Sequence, residues 1–143
     1  MSTLKVTNIQ HETSTLNTLV FDNGGGSGNG RVTTKGTIGE INALGDLSAG
    51  THTLDFRTAN NFSMTLIGNV TIANPSNISA GQSGVLFIKQ DGTGGRDAQF
   101  GSYWDFSNGT APTLSTGQNE VDVVAWIART NTNIAAQFIG NFS

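Results

Sequence analysis

Beyond position 50, apolar and polar side chains alternate with the two-residue period of a β-strand. His52, Leu54 and Phe56 share one face of the first such run, and residues 62–72 continue the same alternation. Gly68 interrupts this second run at a core-facing position, which predicts a bulge or a close crossing by a neighbour. Turn-forming residues separate these runs from further predicted strands at 85–88, 99–106, 120–129 and 134–142. We therefore predict an all-β fold, an antiparallel β-sandwich of jelly-roll type, over residues 51–143.

Helix signals are weak throughout, and the best of them, over residues 38–47, predicts no more than a turn or two. Residues 90–95, with their Asp-Gly and Gly-Gly pairs, predict a hairpin turn.

Residues 1–50 form a segment of different character. Their apolar positions mark two short strand candidates, at Leu4, Val6 and Ile9 and again around Leu19 and Phe21, before a Gly-rich loop at 24–30. Ordering so many residues costs roughly 1–2 kcal/mol each, more than the burial of so few apolar side chains returns. We therefore predict an extended N-terminal arm that lies on its own domain, a sister subunit or a larger surface. Its residues 1–22, through Leu4, Val6, Ile9, Leu19 and Phe21, are predicted to attach the chain to a neighbouring subunit or a larger surface. Alternatively, these side chains fill the first strands of the same β-domain.

The composition supports β-structure and restricts the function. Charged residues make up 12% of the 143 positions, whereas Gly, Thr, Asn and Ser together supply 65 of them. The net charge is −3 and the seven basic residues are scattered singly, which argues against nucleic-acid binding. Without a long apolar run we expect no membrane insertion. Without cysteine, disulfides and thiolate chemistry are excluded.

Residues capable of catalysis or metal binding are few and scattered. His11 and His52 do not stand in a zinc-binding spacing, and the ten acidic residues show no specific pairing. We expect no enzymatic activity, no metal and no cofactor.

Aromatic residues concentrate in one segment. Tyr103, Trp104 and Phe106 lie together, and Trp126 follows on a later predicted strand. Such side chains either pack in the core or a subunit interface, or form an exposed platform for a glycan.

Several segments resemble small virion appendage and tail-fibre-like proteins of marine tailed phages. These are MSTLKVTNIQH at residues 1–11, GTHTLDF at 50–56 and GSYWDF at 101–106, and the similarity extends over most of the chain. The resemblance implies a non-enzymatic virion protein, commonly trimeric, made in the host bacterial cytoplasm and placed on the exterior of the particle.

Because the shaft of a long fibre is missing, the sequence favours a capsid-decorating or cement protein that binds the major capsid protein or other virion proteins. The alternative of the same class is a short tail fibre or receptor-binding tip. The alternative of another class is a carbohydrate-binding module that recognises a host surface glycan.

Overall fold

The structure, a computed structural model, describes residues 38–142. These residues form nine strands and one turn of 3-10 helix at Ser107–Gly109. The strands are β1 (Ile41–Leu47), β2 (Gly50–His52), β3 (Asn61–Leu66), β4 (Val70–Ile72), β5 (Ser83–Gln90), β6 (Ala98–Phe100), β7 (Trp104–Phe106), β8 (Val121–Thr130) and β9 (Asn133–Ile139). They build a six-stranded sheet, ordered β1-β3-β5-β8-β9-β7, and a three-stranded sheet, ordered β2-β4-β6.

The first six strands form three successive coils, each of which gives one strand to the large sheet and the next to the small sheet. Neighbouring coils are parallel in both sheets. Ile41 lies opposite Asn61 and Gly50 opposite Val70, so the first two coils are offset by 20 residues where these strand pairs begin. A bulge in β1 reduces the offset to 19 at its end, where Leu47 meets Leu66. The third coil is longer, because the partners of Asn61 and Val70 are Val85 and Ala98, at offsets of 24 and 28. This stacking is that of a short β-solenoid.

Antiparallel pairing, which was predicted for the whole domain, is found among the described strands only where β8 joins β5 and β9. The remaining pairs, including β7 with β9, are parallel. Parallel strands need a long crossover, and here the second sheet provides it in place of a helix. The sequence pattern of alternating strands separated by turns is therefore the same in a coil as in an antiparallel sandwich. This is why the prediction of antiparallel pairing for the whole domain was wrong.

One hydrophobic core lies between the two sheets. The predicted face of residues 62–72 is buried in it, through Phe62, Met64, Leu66, Val70 and Ile72. The close crossing predicted at Gly68 is confirmed. A Cβ added there would stand 2.6 Å from the backbone nitrogen of Ala49.

Two buried polar side chains bind the loops to this core. Gln90 occupies the third-coil position that aligns with Leu47 and Leu66 in the first two coils. Its Nε2 donates to the carbonyl oxygens of Arg96 at 2.8 Å and Ser115 at 2.9 Å, and its Oε1 accepts from the Arg96 N–H at 2.9 Å.

Asp122, on the core side of β8, has a similar role. Its carboxylate accepts the backbone N–H groups of Ser115 at 2.8 Å and Asn141 at 2.9 Å. These two hydrogen bonds give the buried carboxyl group its polar partners.

Three local predictions need correction. Residues 41–47 form strand β1 rather than a helical turn, and β1 is paired in the sheet although it falls inside the segment predicted as an arm, residues 1–50. Residues 90–95 lead across to the small sheet instead of closing a hairpin. Leu54 and Phe56 are buried as predicted but lie beyond the end of β2.

The predictions for the first part of the chain lie outside the described residues. They concern Leu4, Val6, Ile9, Leu19, Phe21 and the Gly-rich loop 24–30.

Candidate functional site

The predicted aromatic segment lies mostly in the core. Trp104 and Phe106 of β7 and Trp126 of β8 are 6%, 9% and 4% exposed. The Trp104 indole N–H donates to the Ala73 carbonyl oxygen at 3.2 Å, whereas the Trp126 indole nitrogen is buried without a hydrogen-bond partner. Tyr103 is only partly buried. The rings of the three buried residues therefore offer no solvent-facing platform for a sugar, and Tyr103 alone of this set retains accessible surface.

A cleft of about 420 Å³ runs beside β6, the edge strand of the small sheet. Its other wall is the extended segment 111–116. Gln90 holds the two walls together at one end by bonding both Arg96 and Ser115, and the Gly95 N–H donates to the Thr116 carbonyl oxygen at 2.9 Å. The cleft combines polar and apolar side chains, namely Arg96, Asp97, Gln99, Phe100, Pro112, Thr113, Leu114 and Thr116.

An ion pair fixes the charged end of this cleft. The Arg96 guanidinium donates to Oδ2 of Asp91 at 2.9 Å, and this bond is the main reason that the pKa of the Asp91 carboxyl is lowered. The backbone N–H groups of Gly94 and Thr93 add to the effect by donating to Oδ1, while partial burial opposes it. Asp91 is therefore ionised at neutral pH and holds Arg96 at the rim.

Asp55 plays a comparable role where the first coil passes to the second. The Asn77 side-chain amide donates to its Oδ1 at 2.8 Å, and the Arg57 backbone N–H donates at 3.0 Å. These bonds, that from Asn77 first, lower the pKa of the Asp55 carboxyl. The carboxylate thus serves turn geometry, next to the parallel bridge between Asp55 and Ser76.

The large sheet has a second surface, opposite to the core, that we call the outer face. Strand register places Val85, Phe87, Val123, Ala125 and Ile127 side by side on it. It carries two shallow troughs, of about 550 Å³ over β7, β8 and β9 and about 330 Å³ over β1, β3 and β5. The sequence analysis missed both this face and the cleft, because each depends on which strands become neighbours.

His52 is half-buried, and its Nε2 lies 2.9 Å from the Ser48 carbonyl oxygen. Within residues 38–142 no group of three or more His, Cys, Asp or Glu side chains is placed to hold a metal ion. The same residues contain no helix long and apolar enough to cross a membrane. His11 lies outside the described part of the chain.

Comparison with known proteins identifies one family. Residues 49–133, more than half of the chain, match the family described as "Putative phage tail fibre C-terminal domain". This region extends from β2 to the start of β9 and includes both walls of the cleft. No curated protein and no solved structure matches the chain. The chain therefore belongs to this family of phage tail fibre C-terminal domains, and it is a structural protein of a phage virion.

Proposed function

We propose that this protein is a short tail fibre or tail-tip protein, exposed on the virion exterior as a homotrimer, whose β-domain contacts the host surface. The family match over residues 49–133 carries the proposal. It favours the tail over the capsid, so the capsid-decorating or cement role that the sequence favoured becomes the competing hypothesis. A tail location is also the setting in which a compact terminal domain meets the bacterium before the rest of the particle.

We propose further that the protein is not an enzyme. Three carboxyl groups of the described domain make structural contacts. Asp91 binds Arg96, Asp105 binds Arg129 at 2.8 Å, and Asp122 accepts two backbone N–H groups. A hydrolytic acid pair needs two carboxyl groups that face a common substrate, and these side chains instead lie on separate elements with separate partners.

A host glycan is the ligand that best suits the cleft beside β6. Sugars present hydroxyl groups on an apolar ring frame, and they are bound by amide, hydroxyl and charged groups next to an apolar surface. The cleft supplies Gln99, Thr113 and Thr116 for the hydroxyl groups, with Phe100 and Leu114 as the apolar part. In this proposal the sugar contacts residues other than Trp104, Phe106 and Trp126, for which an exposed platform was the alternative to burial.

Purified particles test the location. We expect antibodies against the chain to label the tail, with a copy number close to that of other tail proteins in the same particle. Labelling spread over the head, with a copy number near that of the major capsid protein, would instead establish the decoration role.

Adsorption measurements test the cleft. The purified chain should compete with phage for host cells, and the double variant Q99A/T113A should compete at least tenfold less well. Gln118 is exposed and comes from the neighbouring turn without lining the cleft, so Q118A is the matched control. Equal competition by both variants would remove the cleft from the proposal.

The attachment role of the N-terminal arm stays a proposal, since Leu4, Val6, Ile9, Leu19 and Phe21 lie outside the described residues. An extended segment ahead of a Gly-rich loop suits strand addition to another virion protein. Deletion of residues 1–22 should leave a folded β-domain that no longer joins particles. Failure of the truncated chain to fold would assign these residues to the core.

A further inference from the structure

The outer face of the large sheet has an apolar centre and a polar edge. One row across the strands runs Ile41, Asn61, Val85, Ala125 and Gln137, and the next runs Ala43, Ser63, Phe87, Val123 and Ile139. The middle of strands β5 and β8 is therefore apolar on both sides, which is the pattern of a sheet covered on both faces. Yet Ile41, Ile127 and Ile139 are 50%, 49% and 46% exposed.

The shape of the outer face suits contact with the outer face of another copy of the chain. Phe87 and Val123 are paired across β5 and β8, and Ile127 lies two outward-facing positions further along β8. The larger trough, about 550 Å³, is lined by Ile127 together with the small side chains of Ala125 and Ala135. The smaller trough, about 330 Å³, is lined by Phe87 together with Ala43 and Ser63. Large side chains thus stand next to shallow depressions on one surface, so a side chain such as Phe87 of one copy can enter a trough of the next copy in a ring of three.

The charges at the edge are balanced. In the paired rows of the described sheet, Asp46 and Lys89 stand at one end, and Asp105 and Arg129 form an ion pair at 2.8 Å at the other. Acidic and basic groups are balanced, which suits contact with an identical surface. A nucleic acid or an anionic polymer would require an excess of positive charge.

The face is large enough for a specific contact. Six strands spaced about 4.8 Å apart and about seven residues long, at about 3.3 Å per residue, give a plane on the order of 600 Å². Specific interfaces bury about 600–1,000 Å² on each partner, with an apolar centre and a polar rim.

We propose that the outer face of the β1-β3-β5-β8-β9-β7 sheet is the surface through which copies of this chain associate, with Phe87, Val123 and Ile127 at its centre. The inference rests on the self-assembly part of the proposed function and assigns it to particular residues. It is tested in solution, without particles or cells, so its failure is distinguishable from failure of the tail location or of glycan binding.

The test compares two isoleucine-to-glutamate variants of the full chain by light scattering. Ile127 lies on the outer face, and Ile67, in the turn between β3 and β4, is a matched control because it is 44% exposed. Wild type and I67E should have the mass of an oligomer, at least twice the 14.9 kDa of one chain. The I127E oligomer should dissociate to monomers at protein concentrations at least tenfold higher than those at which the wild-type oligomer dissociates. Far-UV circular dichroism verifies that both variants fold.

Two results would overturn the proposal. The first is a wild-type chain that stays monomeric at high concentration. The outer face would then have another virion protein as its partner instead of a second copy. The second is a folded I127E variant with the mass of wild type.

A second measurement covers the case in which I127E does not fold. The chain contains no cysteine, so V123C and I67C each introduce one thiol at a known place. A short bismaleimide should join chains through V123C and not through I67C. Equal or absent cross-linking at the two positions would contradict the proposed surface.

Discussion

The ring of Phe56 stacks on the indole of Trp126, with centroids 4.2 Å apart and planes inclined by 25°. Phe56 follows β2 in the first coil, whereas Trp126 lies on β8 of the closing hairpin. Phe62 stacks on the same Phe56 ring at 5.6 Å, and Trp104 meets it edge-on at 6.1 Å. One aromatic side chain therefore connects the first coil, the second coil, β7 and the hairpin, which are distant in the sequence.

Removal of either tryptophan should destabilise the domain strongly. Both indoles are buried in this aromatic cluster, so we expect W104A and W126A each to lower the free energy of unfolding by about 3–5 kcal/mol. Urea titration followed by circular dichroism measures the change. Phe142 is 53% exposed, and F142A should therefore change it by less than about 1 kcal/mol. Unfolding midpoints of W104A or W126A that match wild type would show that the cluster does not hold the fold together.

Replacement of Gln90 by leucine should also destabilise the fold. This is expected although a leucine there would align with Leu47 and Leu66, the equivalent positions of the first two coils. The Arg96 N–H and the carbonyl oxygens of Arg96 and Ser115 would lose their buried partner. We expect Q90L to lower the free energy of unfolding by about 2–3 kcal/mol. The exposed Q99L is the control, and a more stable Q90L would mean that packing outweighs these hydrogen bonds.

Two glycines should respond differently to alanine. In G68A the new methyl group meets the Ala49 backbone nitrogen at 2.6 Å, and we expect a loss of about 1–3 kcal/mol as the coils separate locally. In G92A the methyl group enters open space. Its thermal midpoint should stay close to that of wild type, and a comparable loss in both variants would argue against a close coil contact at Gly68.

Acid should destabilise the domain through Asp91 and Asp55. The pKa of each carboxyl is lower in the folded state than the ordinary value, so the stabilisation is present above about pH 4. It is lost as the pH falls through the folded-state pKa, because the unfolded chain then binds more protons. We expect urea midpoints of wild type and of the exposed-site variant E40Q to fall below pH 4 more steeply than those of D91N. Parallel curves for all three would disprove a role for Asp91.

The local pattern predicts the strands well because burial follows the two-residue period. Met64, Leu66 and Ile72 lie on the face that alternation assigns to the core. Strand direction was not predictable in this way, since it depends on pairings such as Ile41 with Asn61. The 20-residue offset leaves little trace in the sequence, because aligned positions such as Gly50, Val70 and Ala98 differ in side chain and the third coil has insertions.

The candidate sites were harder to predict for a related reason. The aromatic segment predicts either a packed core or a glycan platform, and the structure buries Trp104 and Trp126 in the core between the two sheets. The cleft and the outer face are built from single residues on separate segments of the chain, such as Gln99 with Thr113 and Phe87 with Val123. Neither has a motif, and both become visible only when the strand order is known.

The stacked coils also give the protein a simple route to a different length. The strand pairs of the first two coils begin at the same offset in both sheets, so a duplicated unit of 20 residues can be inserted between them without altering the β8–β9 hairpin. Each added unit would lengthen the domain by about 4.8 Å, the spacing between neighbouring strands. In the proposed tail location, such insertions would adjust the reach of the domain in small steps while the cleft proposed to contact the host stays unchanged.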